Sequence, residues 1–288
     1  QNQVKCYTVL VNKKKQTKHT EYLSETRKGT AWHRVFVWSH NMHDPEFAAG
    51  HERRMAHKKP GTIIATSLLI PEFFQTGSKE GKIGDTRKGE DGMKILDSKF
   101  MKGFIKMADD GFQQGWHERN GGNLSYRLKN EEVEMIRPRL NAPGEWQPIG
   151  TEVPGLAGEF FLVTGSGKYF RNIAVDPEAC LAIIELDDKG VNYRIRWGLV
   201  EGGRPTSELP THLMNHEVKK KLTNGKHRVI YHAHTTNTIA LTFVLPLEDR
   251  VFTRELWESA TECPVVFPDG VGVVGWMVPG GREIAVKT

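Results

Sequence analysis

Phe160-Phe161-Leu162-Val163-Thr164-Gly165-Ser166-Gly167-Lys168 carries four apolar residues straight into a glycine turn. A short apolar run closed by glycine reads as a buried strand. Downstream, residues 180–186 and 193–197 are further strand candidates, joined by Asp187-Asp188-Lys189-Gly190. Residues 208–222 read as a helix with Leu213, His216 and Val218 near one face, and Asn224-Gly225 breaks it. Residues 229–234 read as a strand, 253–259 as a short helix and 264–267 as another strand. Upstream, Phe100, Phe104, Met107 and Phe112 recur at roughly helical spacing, so 95–115 reads as an amphipathic helix ending near Gly115. Helices and strands alternate with no visible repeat, which means an α/β layered fold.

The pattern becomes coherent only from Met93. Residues 1–92 hold 16 Lys+Arg against 10 Asp+Glu, a net of +6, while residues 93–288 hold 24 against 25, a net of −1. The basic character therefore belongs to the first third. A basic segment can be a nucleic-acid arm, but this one has no dense cluster or recognisable motif, and no nucleic-acid partner is expected. Its six histidines (His19, His33, His40, His43, His51 and His57) match no zinc spacing. Lys88-Gly89-Glu90 precedes Met93 and can be encoded as AAA-GGA-GAG, a purine-rich ribosome-binding sequence. The expected division is thus a poorly patterned segment 1–92, read as translated upstream sequence, and a domain 93–288. Different codons in the upstream DNA would sink that reading.

No apolar run approaches the ~20 residues of a membrane span, and the polar opening is not a signal peptide. Cys6, Cys180 and Cys263 are too few and scattered for a disulfide framework. A reducing cytoplasm is the default expectation.

Candidate chemistry starts at His232-Ala233-His234. On a strand, residues i and i+2 share a face, so two imidazoles can chelate one metal. Such a pair can equally be hydrogen-bonded or lie on the surface, and catalytic zinc normally takes three protein ligands. Glu208, in Pro205-Thr206-Ser207-Glu208-Leu209-Pro210, suits a general base beside a metal. It equally suits the first turn of a capped helix. Asn120-Gly121-Gly122-Asn123 and Thr164-Gly165-Ser166-Gly167-Lys168 are compact turns rich in donors, able to hold phosphate. Neither is a Walker A loop, and each alone can be plain turn chemistry.

In order and spacing, four stretches resemble the class II aldolase/epimerase (adducin-like) family. They are residues 115–124, 163–172, Pro205-Thr206-Ser207-Glu208-Leu209-Pro210 and Tyr231-His232-Ala233-His234. Phe252-Thr253-Arg254-Glu255-Leu256-Trp257-Glu258, Thr261-Glu262-Cys263 and Val266-Phe267-Pro268-Asp269-Gly270 resemble its branch acting on L-rhamnulose 1-phosphate. The resemblance covers residues 93–288. It implies a three-layer α/β/α fold around a mostly antiparallel or mixed sheet. It further implies zinc-dependent retro-aldol cleavage of L-rhamnulose 1-phosphate to dihydroxyacetone phosphate and L-lactaldehyde.

Position by position, the resemblance makes His232 and His234 zinc ligands and Glu208 the acid/base. Asn120, Asn123, Ser166, Gly167, Thr206 and Ser207 become phosphate donors. Glu262 becomes a carboxylate at the aldehyde end, reaching in from a neighbouring subunit of a homotetramer. The family's third zinc histidine follows one further helix, which should begin near Glu283-Ile284-Ala285-Val286-Lys287-Thr288. Weak zinc binding and little turnover are therefore expected of this stretch alone. A sugar-phosphate 4-epimerase of the same fold, or an inactive truncated fragment, are the alternatives; the region around Trp257 and Glu262 argues against the epimerase. His212 and His216 share a helix face (i, i+4), but the resemblance puts His212 just after the catalytic loop and outside the metal shell.

Overall fold

The computed structural model describes residues 92–288 and the backbone of Thr62–Ala65. The readings on residues 1–61 and 66–91 lie outside the described residues. Eight strands are described: β1 (Thr62–Ala65), β2 (Asn123–Arg127), β3 (Gln147–Pro148), β4 (Phe160–Thr164), β5 (Leu181–Leu186), β6 (Asn192–Gly198), β7 (Val229–His232) and β8 (Gly272–Gly275). The described α-helices are α1 (Lys99–Gln113), α2 (Asn130–Ile136), α3 (Phe170–Ile173), α4 (Pro177–Cys180), α5 (Leu209–Leu222), α6 (Thr236–Val244), α7 (Asp249–Ser259), α8 (Cys263–Val266) and α9 (Arg282–Lys287). None is long and apolar enough to cross a membrane. The described chain divides into two units, one holding residues 92–234 and 279–286, the other 62–65, 235–278 and 287–288.

The first unit is built on a six-stranded sheet of order β3-β6-β5-β4-β2-β7. Every neighbouring pair in it is antiparallel. Successive side chains of a strand point to opposite faces, and β4 shows what that does here. Phe160 and Leu162 pack with Leu181, Ile183, Tyr231 and the Phe100, Met101 and Phe104 side chains of α1. Phe161 and Val163 pack with Ala182, Ile184, Leu186 and the Leu209 and Leu213 side chains of α5. Both faces are covered, so the strand reads as one apolar run instead of an alternation. The result is the expected α/β/α layering with an antiparallel sheet.

α1 matches the amphipathic helix read from its phenylalanines. Its start is fixed by Ser98, whose hydroxyl accepts from Met101 N at 3.3 Å. α5 ends at Leu222 and is followed by Asn224-Gly225, both at positive φ (50° and 75°). Its buried face holds Leu213 and His216, whereas Val218 is 51% exposed. Val218 lies about 200° around the helix from His216, so it cannot share that face.

Two further readings need correction. Residues 264–267 are not a strand: Val265 and Val266 N–H groups donate back to Glu262 O (3.0 and 2.8 Å), closing the single turn α8 with Pro264 at its start. A short apolar run does not distinguish the two. The strand read over 229–234 stops at His232. His234 is held beyond it by its own N–H, which donates to Trp116 O at 2.9 Å.

In the second unit, β1 pairs antiparallel with β8, Thr62 opposite Gly275 and Ala65 opposite Gly272. Phe252 of α7 is fully buried there and packs with Val271, Leu256 and Phe267.

Candidate active site

Antiparallel pairing places the N-terminal end of β2 beside the C-terminal ends of β4 and β7. Asn123 stands opposite His232. Gly165, just past β4, bridges to Pro205, and Thr206 N–H donates to Thr164 O at 2.9 Å. Three loops therefore converge on one edge: 120–122, 165–168 and 204–208.

Glu208 sits at the start of α5 and is buried, 1% exposed. Its backbone N–H donates to Thr206 Oγ1 at 3.3 Å. Its Oε2 accepts from Asn123 Nδ2 at 3.1 Å and lies 2.8 Å from His232 Nδ1. The His232 and His234 rings are buried with centroids 5.0 Å apart. Glu118 Oε1 lies 2.6 Å from His234 Nδ1. So each histidine of the pair has a carboxylate at its Nδ1. A carboxylate beside the second ring nitrogen is a common way to orient a metal-binding imidazole, and the donor set fits a divalent metal that accepts imidazole nitrogen. Among the described residues no group of three His, Cys, Asp or Glu side chains is arranged to hold a metal ion.

The loop 120–122 approaches this pair so closely that its last two residues, Gly121 and Gly122, leave no room for a Cβ. Gly122 has φ +81°; a Cβ there would overlap the His117 imidazole and come within 2.7 Å of His232 O. His117 packs flat on Phe170 at a 3.6 Å centroid distance. Its Nε2 meets Tyr231 OH at 2.6 Å and its Nδ1 meets Gly121 O at 3.0 Å. Burial pushes its pKa down to about 3, with His232 and His234 adding to the fall against the Gly121 carbonyl. A neutral imidazole therefore clamps the loop that presents Glu118.

Of the expected phosphate donors, Asn120, Ser166, Gly167 and Ser207 are exposed on the converging loops. Thr206 is buried, with its hydroxyl bound to Glu208 N. Asn123 is also buried, its amide shared between Glu208 and His212. Glu262 belongs to the other unit, exposed, with Thr261 Oγ1 donating to it at 3.0 Å. Glu118 and His117 were not singled out from the sequence. Both lie within residues 115–124, and their only signal was adjacency to the glycines.

Beneath the site, His212 and His216 of α5 meet Ser125 Oγ, at 2.6 Å to His212 Nδ1 and 2.8 Å to His216 Nε2. Burial lowers the His212 pKa to about 4, Glu208 opposing and His232 reinforcing. His216 falls well below its ordinary value, by burial first and then by His212, Arg127 and Arg228. The unfolded chain protonates these rings near 6.5, the folded chain only far lower. Stability is thus complete above pH 6.5 and is lost as pH falls from there towards the folded value. For His212 alone, the loss between pH 7 and pH 5 is about 2 kcal/mol. Denaturant midpoints at the two pH values measure it, and equal midpoints would contradict it.

The fold and this edge define an α/β enzyme with a buried histidine pair and an adjacent carboxylate. The family model for the class II aldolase and adducin N-terminal domain matches residues 103–288, and the chain belongs to that family. A rhamnulose-1-phosphate aldolase from Mannheimia succiniciproducens is 52% identical over 194 residues, covering 67% of this chain and 71% of the relative. One from Klebsiella pneumoniae is 50% identical over 194 residues, covering 67% and 70%. The crystal structure of a sugar-phosphate aldolase from Thermotoga maritima superposes with a TM-score of 0.53 at 27% identity, over 65% of this chain and 76% of that one. The chain is a class II aldolase, a metal-dependent carbon–carbon lyase.

Proposed function

We propose that the protein cleaves L-rhamnulose 1-phosphate to dihydroxyacetone phosphate and L-lactaldehyde. One observation carries this: a buried carboxylate, Glu208, lies 2.8 Å from the first histidine of the pair, in a chain about half identical to relatives named for that substrate. His232 and His234 would hold a divalent metal, with zinc the natural choice for imidazole donors. When bound, it supplies Lewis-acid stabilisation of the charge gathering on the ketone oxygen.

Glu208 moves the proton at C3. In condensation it removes that proton from dihydroxyacetone phosphate; in cleavage the C4 hydroxyl loses its proton as the C3–C4 bond breaks, and Glu208 passes a proton to C3, so that no net proton is gained or lost. Asn120, Ser166, Gly167 and Ser207, exposed on converging loops, grip the phosphate far from the breaking bond and so align the substrate. Thr206 supports them by fixing Glu208, and Glu262 reaches the aldehyde end from a neighbouring protomer of a homotetramer. The proposed compartment is the cytoplasm.

A panel of ketose 1-phosphates tests the substrate. Dihydroxyacetone phosphate release should be at least about tenfold faster from L-rhamnulose 1-phosphate than from its C4 epimer or fructose 1,6-bisphosphate, a difference of about 1.4 kcal/mol in transition-state binding. Conversion to a 4-epimeric phosphate without cleavage would overturn the assignment.

A further inference from the structure

Glu208 is the end of a chain of hydrogen bonds that runs into the protein. Asn123 Nδ2 contacts Glu208 Oε2 at 3.1 Å, and Asn123 Oδ1 contacts His212 Nε2. His212 Nδ1 contacts Ser125 Oγ at 2.6 Å, and Ser125 Oγ contacts His216 Nε2 at 2.8 Å. All five residues are buried, none more than 7% exposed.

Donor and acceptor rules leave only one direction for this chain. An ionised carboxylate accepts and never donates, so Asn123 must turn its amide nitrogen to Glu208 and its oxygen to His212. That oxygen is also an acceptor only, so His212 carries its proton on Nε2. Its Nδ1 is then a bare lone pair and must accept from the Ser125 hydroxyl. Ser125, its one O–H already directed at His212, accepts from His216 Nε2–H. His216 Nδ1 is left as a lone pair, and this buried atom has no hydrogen-bond partner. Every donor points towards Glu208, and aligned bonds of this kind polarise one another in a low-dielectric interior. The lowered pKa values of His212 and His216 agree with the two neutral rings that this order requires.

We infer that Asn123, His212, Ser125 and His216 form a directional hydrogen-bond chain that holds the Glu208 carboxylate in its working orientation. Asn123, His212 and Ser125 are positioning residues for the acid/base. The inference rests on the reading of Glu208 as that acid/base. Asn123 thereby acts on the carboxylate.

The test is nitrogen NMR of the full chain labelled with [15N]histidine, paired with cleavage kinetics. In the wild type at pH 7.5, His212 and His216 should both be neutral Nε2–H tautomers. Glu208→Gln should keep both tautomers, because the glutamine oxygen can accept the same Asn123 bond. Ser125→Ala should release the His212 tautomer. It should also lower kcat about 10–100-fold with KM unchanged, as expected when a catalytic group is misplaced. Ser125→Thr, which keeps the hydroxyl, should recover both the tautomer and most of kcat. An Nδ1–H tautomer of His212 in the wild type would overturn the inference. So would a Ser125→Ala variant that shifts the tautomer and leaves kcat intact. Full turnover in Glu208→Gln would instead remove Glu208 from the chemistry, while the tautomers would still report the chain.

Discussion

Glu208→Gln lowers the rate of L-rhamnulose 1-phosphate cleavage roughly a thousandfold, within the range that positioned acid–base groups contribute. Glutamine has the same shape and keeps an oxygen for Asn123 Nδ2, so the buried contact at 3.1 Å survives. What it loses is the ability to carry the C3 proton. Substrate binding should change little, because the phosphate is gripped by loop residues and not by Glu208. The measurement is kcat against KM for the two proteins, with thermal unfolding as the control. A variant that cleaves at the wild-type rate removes Glu208 from the proton transfer.

His232→Ala has an effect of similar size by a different route. His232 is 2% exposed at the last position of β7, opposite Asn123. Its removal takes away one imidazole of the pair, the one whose Nδ1 lies 2.8 Å from the Glu208 carboxylate. Even outer-shell partners of a metal ligand are worth 10–100-fold in affinity, so losing a ligand should weaken zinc binding by at least about 100-fold. Turnover should fall in step. Competition titration against a chromophoric chelator gives the affinity directly. Wild-type affinity in the variant would mean that the metal is held elsewhere.

The layered fold was legible because its strands are buried on both faces. Runs such as Phe160-Phe161-Leu162-Val163 and residues 181–184 are apolar without interruption, and the phenylalanines of α1 mark its buried side. β2 was not legible. Its five residues, Asn123–Arg127, are all buried, but three of them are polar and look like loop. They are tolerated inside because each finds a partner: Asn123 in Glu208, Ser125 in two histidines, and Arg127 in Glu159 at 2.9 Å. α8 was misread because four apolar residues fit a strand and a single helical turn equally well.

The candidate site was legible in its chemistry and less so in its wiring. Order and spacing of the motifs pointed to His232, His234 and Glu208, and these three now stand together. The supporting residues were hidden. Nothing in a linear sequence tells that Glu118 meets His234 or that His212 lies under Asn123, since 116 and 89 residues separate those partners. Only the antiparallel crossing of β2, β4 and β7 brings them to one edge.

The central claim is metal-dependent retro-aldol cleavage at this edge. Release of dihydroxyacetone phosphate from L-rhamnulose 1-phosphate, followed before chelation, after chelation and after zinc is restored, tests it most directly. The expected result is release above the enzyme-free rate that stops with the chelator and returns with zinc. Release that is indifferent to the chelator, or no release in any of the three states, would contradict it.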